Sequence, residues 1–172
     1  SQIPLTPTLA TFDHLTKISE GKNNFIASIE SQRISPFFKF LIEQTSINRW
    51  LTASSEQIEW NKKELNVLLD ITRKASEAGI TLLVGSDQGT MYMLAGVSTH
   101  NEMRLMQTAG INALTILQAA TINAAKALQR DASIGSVSIG KQADLLLLRQ
   151  NPLDNIQHLS KPYAVIKSGS WL

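Results

Sequence analysis

The sequence predicts an α/β fold, and three observations carry that expectation. Gly79-Ile80-Thr81-Leu82-Leu83-Val84-Gly85 is a short apolar, branched run bounded by glycines, the composition of a strand covered on both faces in a parallel sheet. A long helical pattern runs directly into it and is stopped by Gly79. The run then ends in Ser86-Asp87, so helix, glycine, strand and acidic turn follow one another as in one α/β unit. Sheets of this class collect ligands and catalytic groups at the carboxyl ends of their strands, which makes Asp87 a candidate for chemistry. An aspartate after a strand also serves as a turn former or helix N-cap, and position alone does not separate the two.

Composition narrows the function classes. The 172 residues suit one ordinary domain, or a medium domain with an appendage, and 43% apolar content is enough for a core. Sixteen Lys and Arg against 14 Asp and Glu leave a formal charge of +2, dispersed along the chain, so nucleic acid is not indicated as a partner. No apolar run approaches the roughly 18 residues a membrane span needs, and the chain reads as soluble with no membrane partner. Cysteine is absent, which excludes thiolate nucleophiles and Cys-based zinc sites. A start on Ser-Gln is expected of a piece of a longer protein.

Taken in order, Pro4 and Pro7 hold residues 1–12 extended. Leu15, Ile18, Phe25, Ile26 and Ile29 predict two short helices around a break at 21–24. Ser35-Pro36 reads as an N-cap followed by proline at the first helical position, opening a helix to about residue 51. That helix is apolar on more than one side, as expected of a segment buried in a larger body rather than a lid. Ser54 to Gln57 cap a long helix with Ile58, Leu65, Leu68, Leu69, Thr72 and Ala75 on one face. A loop over 88–98 follows, and Thr99 and Glu102 have capping-box spacing at the head of the next helix, which closes at Gly110. Asn112 caps a helix over 113–120, and Thr121 another over 122–129. From Asp131 on, glycines punctuate β-type runs at 135–139, 143–149 and 163–167, with the turn Asn151-Pro152-Leu153-Asp154-Asn155 between the last two. Trp50, Trp60 and Trp171 read as packing residues.

Several of these segments form an ordered set: Gly-Ser-Asp at 85–87, His-x-Glu at 100–102, Ala-Gly at 109–110, Ala-Ala-Thr-Ile-Asn-Ala-Ala at 119–125, Gly-Ser-Val-Ser-Ile-Gly-Lys-Gln-Ala-Asp-Leu at 135–145 and Asn-Pro-Leu at 151–153. The set resembles the carboxyl-terminal part of metal-dependent amidohydrolases, in particular their imidazolonepropionase-like and prolidase-like branch. Leu5-Thr6-Pro7-Thr8-Leu9 is similar to the family's seventh barrel strand. The resemblance implies the C-terminal part of a (β/α)8 TIM-like barrel over residues 1–130, about strands 7 and 8 with their helices. Residues 131–172 would add strands of a small composite β-sandwich, in which Lys141 and Asp144 are structural.

By the same resemblance Asp87 would ligate a divalent metal, zinc in the intact enzyme, and shuttle a proton during hydrolysis of a small-molecule amide or peptide substrate. Thr6, Thr8 and His100 are candidate substrate contacts, with a solvated first-turn histidine as the other reading of His100. The family's His-x-His is absent, and His14, His100 and His158 lie at no ligand spacing. Three or four protein ligands are needed for a tetrahedral zinc site. The chain alone is therefore expected to bind no metal tightly, to be catalytically incomplete, and to self-associate or pair with a missing amino-terminal half. The alternative is a non-catalytic binding or assembly module on the same scaffold.

Overall fold

The computed structural model describes residues 3–29, 33–45, 47–89 and 91–172. An extended segment around Leu5 lies parallel to the segment around Leu82. The Leu5 amide donates to the Thr81 carbonyl at 2.9 Å, and the Leu83 amide donates to the Leu5 carbonyl at 2.9 Å. Pairing is confined to this one bridge among the described residues, and full burial of the apolar run is reached only at Leu82. The other edge of the second segment is held by helix ends: the Val84 amide donates to the Ala119 carbonyl, and the Asn123 side-chain amide donates to the Leu82 carbonyl, both at 3.3 Å.

Helix α1 (Leu9–Ser28) consists of the two short helices expected, meeting at a kink at Lys22 (φ 51°, ψ −137°) inside the anticipated break. The kink turns the Lys22 ammonium onto the carbonyls of Trp50 and Ala53, at 3.2 and 2.9 Å, where a cation complements a helix C-terminus. Helices α2 (Pro36–Thr45) and α3 (Ile47–Leu51) divide the single helix predicted from Pro36, with Ser46 outside the described residues. The Ser35 hydroxyl caps α2 as predicted, accepting from the Phe38 amide. Within this chain α2 is not enclosed: Phe37, Phe38 and Phe40 are exposed, and Ile42 enters a core with Ile47 and Tyr92.

Helix α4 (Ser55–Glu77) begins under Ser54, whose hydroxyl accepts from the Gln57 amide, and buries Asn61, Thr72 and Ala75. It packs on α1, where Asn61 donates to the buried Ser19 hydroxyl at 3.1 Å. Gly79 then turns the chain with φ 78°. Helix α5 (Val97–Thr108) starts three residues earlier than the Thr99 cap predicts, with Gly96 at its N-cap. Helix α6 (Ala113–Ala120) is capped by Asn112 as expected. Helix α7 (Ile122–Ala127) stops short of residue 129, and Thr121 does not cap it: its hydroxyl donates back to Leu117.

The carboxyl-terminal segment forms a three-stranded antiparallel sheet, β1 (Leu145–Leu147), β2 (Ala164–Lys167) and β3 (Ser170–Trp171), in the order β1-β2-β3. Ser168 and Gly169 both take positive φ between β2 and β3, the geometry of a two-residue hairpin turn. Asp144 fixes this turn by accepting from the Ser168 amide at 2.8 Å and from the Lys167 ammonium at 2.7 Å, which hold its carboxyl down to about 2. The predicted run at 135–139 is not a strand, and Val137 and Ile139 project into solvent without a partner. Trp60 and Trp171 are likewise exposed, contrary to a packing role. A 3₁₀ helix (Ile156–Ser160) joins the main core through Ile156 and Leu159, alongside Leu9, Leu82, Met106 and Ile116.

Candidate active site

Asp87 lies just past the parallel-bridged segment, exposed, in the left-handed conformation with φ 51°. An aspartate tolerates that region better than most side chains, so the turn and an outward carboxylate are compatible. Two bonds fix the backbone immediately before it. The Thr11 hydroxyl of α1 donates to the Ser86 carbonyl at 2.9 Å, and the Ser86 hydroxyl donates to the Ser98 hydroxyl of α5 at 3.0 Å. Both serines are buried.

Of the remaining sequence candidates, Thr6 and Thr8 border the same strand ends. Thr6 is exposed one residue past Leu5 and faces Gly85. A Cβ added to Gly85 would lie 2.6 Å from the Thr6 methyl, so glycine is what allows the two segments to approach. Thr8 stands at the N-cap of α1 with φ 51°, half-buried, and its own side chain does not cap the helix. His100 is half-buried in the first turn of α5, where burial holds its imidazole below the ordinary value.

Glu102 departs from the sequence reading. Instead of closing a local capping box with Thr99, it is wholly buried and reaches α1, where its Oε2 accepts from the Ala10 amide at 2.6 Å. The amides of Leu9 and Thr8 also favour its ionised form, yet burial prevails and pushes the carboxyl up to about 7. Nothing in local spacing marks a bond between residues 92 positions apart. The N-cap residue of that helix, Thr8, makes no capping hydrogen bond with its own side chain.

A groove of about 360 Å³ lies beside these elements, lined by Asp13, His14, Lys17, Phe25, Tyr92 and Asn101 among others, and Asp87 is not part of it. Its polar groups are satisfied internally: Asp13 accepts from Lys17 at 2.6 Å and from Asn101 at 2.8 Å. His14 Nε2 is 2.6 Å from the Met91 carbonyl, and burial holds this imidazole below the usual range. His158 bonds the Asn151 carbonyl in the distant carboxyl-terminal segment.

A divalent metal does not fit the residues of this chain taken alone. Among the described residues no three His, Cys, Asp or Glu side chains converge as ligands, and two of the three histidines are committed to backbone carbonyls elsewhere.

A model of the amidohydrolase family matches residues 14–172. Among solved structures, the chain is similar to a prolidase-like protein from Bifidobacterium longum, with 36% identity over 69% of this chain and 29% of that one, TM-score 0.61. It is also similar to a Xaa-Pro dipeptidase with methionine bound in its active site, at 26% identity over 97% of this chain and 34% of that one, TM-score 0.68. A bottromycin amidohydrolase aligns at 25% identity over 97% of this chain and 36% of its own length, TM-score 0.78. The chain thus spans about a third of the length of these relatives. No curated protein matches it.

Proposed function

The chain belongs to the amidohydrolase family, and on that premise we propose that it is part of a hydrolase cleaving the carbon–nitrogen bond of amides or peptides, with Asp87 as its working carboxylate. The observation that carries the reading is the placement of Asp87: an exposed acid at the end of the second of two parallel-bridged segments, its preceding residue tied to both α1 and α5. In this reading Asp87 takes the proton released as water adds to the scissile carbonyl and returns it to the departing amine. An anionic carboxylate at the reaction centre suits both steps. Thr6 and Thr8, beside the same ends, and His100, in the first turn of α5, contact the substrate.

The family resemblance adds a divalent metal, zinc, to which Asp87 gives one ligand oxygen. The other ligands come from outside this chain, which is therefore catalytically incomplete by itself. The segments at Leu5 and Leu82 are strands seven and eight of a (β/α)8 barrel whose C-terminal part is residues 1–130, and residues 131–172 belong to a composite β-sandwich. Parallel pairing between the two segments and the separate antiparallel sheet support that division.

Replacing Asp87 by asparagine in the whole enzyme that contains this chain tests the assignment. The expected result is a loss of turnover of about 100-fold or more with an unchanged circular dichroism spectrum. Unchanged turnover removes Asp87 from the chemistry and favours a binding or assembly module.

A further inference from the structure

Glu102 is a buried titratable group that the proposed reaction does not use. Its burial is complete, and its bond to the Ala10 amide, 2.6 Å long, crosses 92 residues of sequence. A carboxyl in that position is unfavourable to bury, and capping α1 alone does not require it, since a serine or aspartate at the N-cap would satisfy the same amides locally. The N-cap is instead Thr8, in a left-handed conformation that leaves the helix uncapped from its own side.

The carboxyl closes a ring. Ala10 is bonded to Glu102 of α5; its neighbour Thr11 is bonded to the Ser86 carbonyl; Ser86 is bonded to Ser98; and Ser98 lies one helical turn before Glu102 on α5. Ser86, Ser98 and Glu102 are all buried, so water does not compete for the Ala10–Glu102 and Ser86–Ser98 bonds, while the Thr11–Ser86 bond is part-buried. The ring meets the chain at Ala10, two residues after Thr8, and at Ser86, the residue before Asp87.

We propose that Glu102 is a positioning residue of the candidate site, fixing the turn at residues 8–10 and, through α5, Ser98 and Ser86, the backbone that presents Asp87. This rests on the reading of Asp87 as the site's working carboxylate. Among the described residues the carboxyl makes one hydrogen bond, from the Ala10 amide to Oε2, while its Oε1 is buried without a partner.

Hydrogen exchange of the 172-residue chain, followed by mass spectrometry, tests the ring. Glu102→Ala is expected to raise exchange at least tenfold in residues 8–11 and in 84–88, leaving α4 at wild-type rates. Glu102→Gln, which keeps an acceptor oxygen, restores most of the protection. Ser98→Ala, which breaks the ring at another bond, raises exchange in 84–88 only. Opening of 8–11 alone in Glu102→Ala, or of the whole chain including α4, overturns the proposal; so does wild-type protection of 84–88 in Ser98→Ala, even if the Glu102 variants do not fold. In the whole enzyme, Glu102→Ala is expected to lower kcat about tenfold with KM within twofold and Glu102→Gln to restore most of that loss; a change in KM alone, or no recovery in Glu102→Gln, contradicts a positioning role. Turnover unaffected by Asp87→Asn would sink the functional reading, while the exchange pattern would still decide whether the ring holds these turns.

Discussion

Glu102 ties stability to pH with a definite sign. Burial raises its carboxyl from 4.5 to about 7 against three opposing amides, so between those values the folded chain holds a proton that the unfolded chain has released. Its stabilising contribution is therefore full below about pH 4.5 and lost as pH rises through about 7, an interval worth about 3 kcal/mol. His14 and His100 act in the opposite sense, because burial lowers both and each opposes folding once acid protonates it. The raw pH profile is a sum of these effects, and Glu102→Gln isolates the first. Urea unfolding at several pH values is expected to show the wild type losing about 3 kcal/mol relative to Glu102→Gln between about pH 4.5 and 7.5. Parallel profiles for the two proteins would mean that Glu102 titrates as an ordinary carboxyl. The role of this residue was illegible in the sequence for a physical reason: Thr99 and Glu102 have the spacing of a local cap, and only the packing of α5 on α1 decides which helix end receives the carboxyl.

The close approach of the two parallel segments is an element-scale property that one residue permits. With 2.6 Å between a Gly85 Cβ and the Thr6 methyl, Gly85→Ala must push the Leu5 and Leu82 segments apart or displace Thr6. The expected cost is about 1–3 kcal/mol in urea unfolding, and Thr6→Ser, which removes the obstructing methyl, should recover most of it in the double variant. Additive losses in the double variant would place the conflict elsewhere. Elements bounded by local chemistry were legible: the Ser54 and Asn112 caps, the Ser35 cap of α2 and the Gly79 stop all stand where the sequence puts them. Elements that need a distant partner were not. Residues 135–139 have strand composition, but Val137 and Ile139 meet no neighbouring strand, and the aromatic face of α2 meets no core. The candidate site divides in the same way: the placement of Asp87 after its apolar run was readable, whereas the Thr11–Ser86–Ser98 bonds that hold it join residues far apart in the chain.

At the scale of the whole molecule, apolar surface is distributed in a way that bears on association. Phe37 and Phe40 of α2 are 66% and 58% exposed, with the Phe37 and Phe38 rings stacked edge to face, and Val137 is 86% exposed on the carboxyl-terminal segment. Scattered single apolar residues are ordinary on a protein surface, but three phenylalanines within one helix form a contiguous patch of the kind that marks an interaction face. A formal charge of +2 supplies little repulsion to keep copies apart. The proposed placement in a barrel adds a second source of association, because two strands cannot close a barrel and leave faces that neighbouring strands would cover. Light scattering across micromolar concentrations is therefore expected to give an apparent mass that rises with concentration. Phe37→Ser combined with Phe40→Ser should lower that mass if α2 is the contact, whereas adding the missing amino-terminal part of the whole enzyme should make the mass independent of concentration if the strand faces are. A monomer throughout the range would contradict both sources, and would mean that these faces are tolerated in water as they stand.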